Sequence, residues 1–171
     1  IYSVPPFQFK RYPLLAGGII ATVRGFLLNF GVYYAVREAL MVPFQWNPVV
    51  LFISTFMTMF ASVIAVTKDL PDIEGDIKYN INTFAAKYGV GKIATAAAFV
   101  LSLTYAGAIA LPFMLPGKFK MLPMAAGHSA LLAYFLVSYF ALDPNSTSSI
   151  KNFYKSIWNL FYLEYMLYPF I

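Results

Sequence analysis

The chain has 171 residues, 60% of them hydrophobic and 19% aromatic, with only 11% charged, a formal net charge of +5 and a mean hydropathy of +0.68. That content falls outside the soluble globular class and marks an integral membrane protein. The basic residues are spread over loops rather than forming a stripe among polar readers, so a nucleic-acid partner is not expected; without cysteine, disulfides and thiolate sites are excluded within the chain.

Five apolar stretches reach the ~20 residues that a helix needs to cross the hydrocarbon core. In chain order they run over 13–34, 48–67, 93–115, 122–142 and 154–171, predicting an all-α, polytopic transmembrane bundle. Pro13, Pro48 and Pro123 stand near starts, where a missing N–H costs little; Pro112, Pro116 and Pro144 stand near ends or beyond them. The last stretch is the weakest, because Asn159 and Glu164 interrupt its aromatic run, which reads as an interfacial belt ahead of the alternative, the lining of a lipid-tail channel. Residues 145–147 match a glycosylation triplet and serve only as a loop marker. No targeting peptide is visible after Ile1.

Five crossings put the loops 1–12, 68–92 and 143–153 on one side, with Lys10, Arg11, Lys68, Lys78, Lys87, Lys92, Lys151 and Lys155. Only Arg37, Lys118 and Lys120 fall opposite, so the first side faces the cytoplasm or its organellar equivalent.

On that side, directly after the second apolar stretch, residues 68–78 read Lys-Asp-Leu-Pro-Asp-Ile-Glu-Gly-Asp-Ile-Lys. This short run holds Asp69, Asp72, Glu74 and Asp76, in a chain with seven acidic residues in all. On a helix, 69, 72 and 76 share a face. Carboxylates converging there repel one another unless a cation intervenes, and oxygen-only ligation suits Mg2+, which takes one or two carboxylates together with substrate phosphates. Lys68 and Lys78 flank the acids and offer charge to a phosphate. The competing reading is a solvated turn between two membrane helices. Pro71 and Gly75 weigh against an unbroken helix, and the spacing does not match a calcium-binding EF-hand loop.

Polar groups inside the apolar stretches form a second set of candidates. Arg24, beside Gly25 and with Asn29 further along, reads either as an anion or ring-hydroxyl contact in a pocket or as a packing residue. For Glu164 and for His128, the only histidine, the structural reading is the stronger.

Three segments carry a family resemblance: the opening Ile1-Tyr2-Ser3-Val4-Pro5-Pro6-Phe7-Gln8-Phe9-Lys10-Arg11, the run from Ala21 to Tyr34, and Thr67 through Asp76, which Asn82 to Val90 extend. With the ending around Trp158 to Tyr165 and Pro169-Phe170-Ile171, they resemble the UbiA-type membrane prenyltransferases, closest to the members that prenylate homogentisate. The resemblance covers most of the chain and is weakest over 93–150. It implies a bundle of which about five out of roughly nine helices stand here, with two aspartate-rich motifs facing each other over a cavity. Residues 1–171 would be the C-terminal half of one such domain, and the first motif would lie upstream.

The implied activity is Mg2+-dependent transfer of a polyprenyl group, solanesyl, from its diphosphate to homogentisate with decarboxylation, in plastoquinone biosynthesis. Phytyl transfer toward tocopherol is the alternative within the class, and a transporter or cation-channel fragment the alternative outside it. A transporter, however, places ionisable sites at the midplane, whereas these acids cluster at one surface. The resemblance assigns the metal to Asp69, Asp72 and Asp76, diphosphate contacts to Lys10, Arg11, Lys68 and Lys78, and acceptor or pocket contacts to Arg24 and Asn29. It also implies a plastid envelope location, with the acidic loop on the stromal side. Gln8 and Ile77 stand where the family's pattern has arginine, removing positive charge near the diphosphate.

Overall fold

The computed structural model describes residues 13–171, and among them the regular structure is helical. The helices are α1 (Pro13–Ala21), α2 (Leu28–Ala39), α3 (Pro48–Thr67), α4 (Ile73–Lys78), α5 (Phe84–Tyr88), α6 (Val90–Met114), α7 (His128–Phe140) and α8 (Thr147–Leu167). π turns at Thr22–Leu27 and Pro123–Gly127 lead into α2 and α7, and 3-10 turns at Leu70–Asp72 and Tyr168–Phe170 precede α4 and follow α8. The chain divides between Val66 and Thr67 into two compact units.

Helices stand at all five anticipated positions. Three stretches among the described residues, Leu15–Ala39, Pro48–Lys78 and Val90–Met114, are long and apolar enough to cross a membrane. At the fifth position α8 begins at Thr147, seven residues before the expected Tyr154, and so takes in Lys151 and Asn152 ahead of Lys155, Asn159 and Glu164. The cap explains the early start. Ser146 has extended backbone and its hydroxyl accepts from the N–H of Ser149, while the Ser149 hydroxyl accepts from the N–H of Asp143 at 2.9 Å.

In the first unit, α1, the π turn and α2 form one rod. It ends where Met41 takes a positive φ of 54°, ahead of Pro43. Arg37 closes the turn by donating to the Pro43 carbonyl, and the Tyr33 hydroxyl donates to that of Gln45 at 2.6 Å. Phe30, Phe44 and Trp46 pack against one another edge to face or tilted, with centroids 5.1–5.9 Å apart. The next helix starts cleanly: the Asn47 side chain accepts from the N–H of Val49 at 2.9 Å, and Pro48 occupies the first helical position. Gly25 brings the rod against α3. A Cβ there would lie 2.3 Å from the Cα of Thr58, so only glycine permits the approach.

In the second unit α6, α7 and α8 pack in sequence, with Tyr105, Phe135, Phe153, Ile157 and Leu160 fully buried. Gly127, at the end of the second π turn, meets Leu167 of α8, whose methyls would stand 2.9 Å from an added Cβ. α8 also packs on the 3-10 turn Leu70–Asp72, where Leu70 is fully buried. That contact seats the acidic segment on α8.

Candidate functional site

The acidic segment is a broken helix. Pro71 lacks an N–H, and Leu70–Asp72 forms a 3-10 turn; α4 then begins at Ile73 with Asp72 at its N-cap position. Asp69, Asp72 and Asp76 therefore do not share one continuous α-helical face. Asp69 is half-buried, and its Oδ1 lies 2.8 Å from Lys68 Nζ. Asp72 is exposed, and its carboxylate has no hydrogen-bond or ion-pair partner among the described residues. The half-buried Asp76 accepts at Oδ2 from the Thr83 hydroxyl at 2.9 Å. Lys78 is exposed, its ammonium 5.6 Å from the ring centroid of Tyr79.

Glu74 is held differently. Its Oε1 accepts from the Thr147 hydroxyl at 2.9 Å, a link across 73 positions that ties α4 to the first residue of α8. No three His, Asp or Glu side chains among the described residues form a ready-made metal cage. The donor chemistry nonetheless suits a hard divalent cation: every donor is oxygen, and Mg2+ completes its shell with water and substrate phosphate instead of a full set of protein ligands.

Of the other anticipated residues, Lys10 and Arg11 lie outside the described residues, as does Gln8. Ile77 is exposed beside the acids. Arg24 is exposed within the π turn of the first unit, next to an open apolar groove of about 320 Å3 lined by Leu15, Gly18, Ile19, Thr22 and Val23. Asn29 donates through Nδ2 to the Gly25 carbonyl one turn earlier, at 2.6 Å.

Sequence reading missed two hydroxyls on the acids. Thr83 carries a legible signal as an N-cap before Phe84-Ala85-Ala86-Lys87, whereas nothing local announces Thr147. It also treated His128 and Glu164 separately. They meet: both are buried, with His128 Nε2 3.4 Å from Glu164 Oε2. His128 Nδ1 is 2.7 Å from the Met124 carbonyl; since a carbonyl only accepts, Nδ1 carries the hydrogen and Nε2 faces the carboxyl. The Tyr105 hydroxyl faces the same carboxyl.

An aspartate-rich segment at the end of an apolar helix is matched by the sequence profile of the UbiA prenyltransferase family, which covers residues 1–161. The chain belongs to the UbiA prenyltransferase family. Among curated relatives, this UbiA-family chain is 51% identical over 173 residues to "Probable homogentisate phytyltransferase 2, chloroplastic" of Oryza sativa subsp. japonica, covering 100% of the chain and 46% of the relative. It is also 51% identical over 172 residues to "Homogentisate solanesyltransferase, chloroplastic" of Arabidopsis thaliana, covering 99% and 45%. A third relative, "2-acylphloroglucinol 4-prenyltransferase, chloroplastic" of Humulus lupulus, is 41% identical over 175 residues, covering 100% and 42%. The UbiA-family chain thus spans somewhat less than half the length of these relatives, and no solved structure matches it significantly.

Proposed function

We propose that residues 1–171 are the C-terminal half of one UbiA-type domain, and that the whole protein transfers a solanesyl group from its diphosphate to homogentisate, with loss of carbon dioxide, in plastoquinone biosynthesis. The carrying observation is the acidic segment 68–78 in a family member 51% identical to a relative named for that reaction. The chloroplastic names of the relatives and the apolar helices support a plastid membrane location; the distribution of Lys and Arg supports the stromal side for the segment.

In this reading Asp69, Asp72 and Asp76 would hold Mg2+, which supplies positive charge to the diphosphate oxygens. Lys10, Arg11, Lys68 and Lys78 bind the same diphosphate. Their attraction grows as the carbon–oxygen bond breaks and charge collects on the leaving group, and only such differential binding accelerates the step. The allylic carbon bonds to the electron-rich ring as diphosphate leaves with the carbon–oxygen pair, the ring carbon gives up its proton, and the acetate carboxylate departs as carbon dioxide while the methylene it leaves takes up a proton to become a methyl. Arg24 and Asn29 orient the acceptor or the phosphate end. Apolar helix faces shelter the prenyl tail and keep water from the cation.

Equal identity to a relative named for phytyl transfer supports a second reading, in which the donor is the shorter phytyl diphosphate. The transporter reading is set aside, because the family and these relatives are prenyltransferases. Purified full-length protein given homogentisate, Mg2+ and equimolar solanesyl and phytyl diphosphates separates the two by product mass. A predominantly solanesylated product is expected; a predominantly phytylated one replaces the first reading, and no product contradicts both.

A further inference from the structure

We infer that Thr83 is a positioning residue for the diphosphate site, fixing the carboxylate of Asp76 through its hydroxyl. The inference rests on the assignment of Asp76 under the proposed function. Thr83 is the N-cap of α5: its backbone is extended, with φ −105° and ψ 163°, and its Oγ1 accepts from the N–H of Ala86 at 3.2 Å. A hydroxyl has one proton to give, and here it goes to Asp76 Oδ2 at 2.9 Å. Accepting from the helix fixes the rotamer, and donating to the acid uses the proton. One side chain therefore caps a helix and holds one oxygen of a carboxylate, leaving the other oxygen for a cation.

The backbone supports the same arrangement. Ile81 N–H donates to the Asp76 carbonyl at 2.8 Å, and Asn80 turns the chain with a positive φ of 53°. The carboxylate is thereby held from its main chain and from its side chain. Partners of this kind orient metal-binding carboxylates, and their loss weakens metal binding about 10–100-fold.

The test uses the full-length protein in detergent, with Mn2+ binding in the presence of inorganic pyrophosphate followed by electron paramagnetic resonance. Thr83→Gly removes the hydroxyl while leaving a tolerated N-cap residue, Thr83→Ser keeps the hydroxyl, and Asp76→Asn weakens the ligand. The expected result is about tenfold weaker Mn2+ binding in Thr83→Gly, near wild-type binding in Thr83→Ser, and a loss at least as large as that of Thr83→Gly in Asp76→Asn. Melting temperatures are recorded alongside; if Thr83→Gly does not fold, Thr83→Val, which keeps the side-chain shape, replaces it. Wild-type binding in the hydroxyl-free variant with a loss in Asp76→Asn overturns the positioning role alone, as does equal weakening in Thr83→Ser. Wild-type binding in Asp76→Asn, or no Mn2+ binding by the wild type, overturns the site assignment beneath it.

Discussion

Gly25 and Gly31 lie in the same helical rod and face opposite demands. At Gly25 an added methyl runs into the backbone of Thr58, which has no side-chain freedom to yield, whereas nothing stands within 4 Å of the corresponding position at Gly31. Gly25→Ala is expected to destabilise by roughly 3 kcal/mol, the upper range for overpacking. Gly31→Ala is expected to be neutral or to stabilise by up to about 1 kcal/mol through helix propensity. Thermal unfolding in detergent checks both. The buried pair of His128 and Glu164 makes a comparable demand. Removing the carboxyl takes away the group that both His128 Nε2 and the Tyr105 hydroxyl face, so Glu164→Ala is expected to cost about 1–3 kcal/mol, and the double variant with His128→Ala less than the sum of the single losses. Additive losses in that cycle would show that the contact carries no coupling.

Among the elements, one small residue sets how closely the turn before α7 approaches the end of α8. The atoms nearest to a Cβ at Gly127 belong to the movable side chain of Leu167, so Gly127→Ala is expected to cost about 1–2 kcal/mol, with part of the loss recovered when Leu167→Ala is added. No recovery in unfolding measurements would show that the contact is not what limits the approach. The helix positions were legible in the sequence because apolar runs of spanning length are conspicuous against 11% charge. Three things were less legible. α8 starts early because of the cap at Ser146, a local signal overlooked beside the hydropathy pattern. The acidic segment divides at Pro71, so spacing on an ideal helix does not describe Asp69, Asp72 and Asp76 together. The pairings of Glu74 with Thr147 and of His128 with Glu164 join residues distant in sequence, where periodicity gives no information.

At the scale of the whole molecule, the chain spans 45–46% of two relatives that are 51% identical to it, and the proposed site draws on a second aspartate-rich motif that the family resemblance implies outside these residues. Residues 1–171 expressed alone are therefore expected to show no prenyl transfer, and turnover by that purified segment would contradict the division of the site between two halves. Within residues 1–171 the acids are assigned unequal duties. Asp72 has no partner among the described residues, Asp76 offers one oxygen beyond the Thr83 bond, and Glu74 is engaged by Thr147. The decisive measurement is Mg2+-dependent transfer of a solanesyl group to homogentisate by full-length Asp72→Asn, Asp76→Asn and Glu74→Gln. The account predicts that both aspartate variants lose about a hundredfold or more in kcat/KM while Glu74→Gln, which still accepts from Thr147, stays near wild type. Undiminished transfer by Asp72→Asn and Asp76→Asn would contradict it.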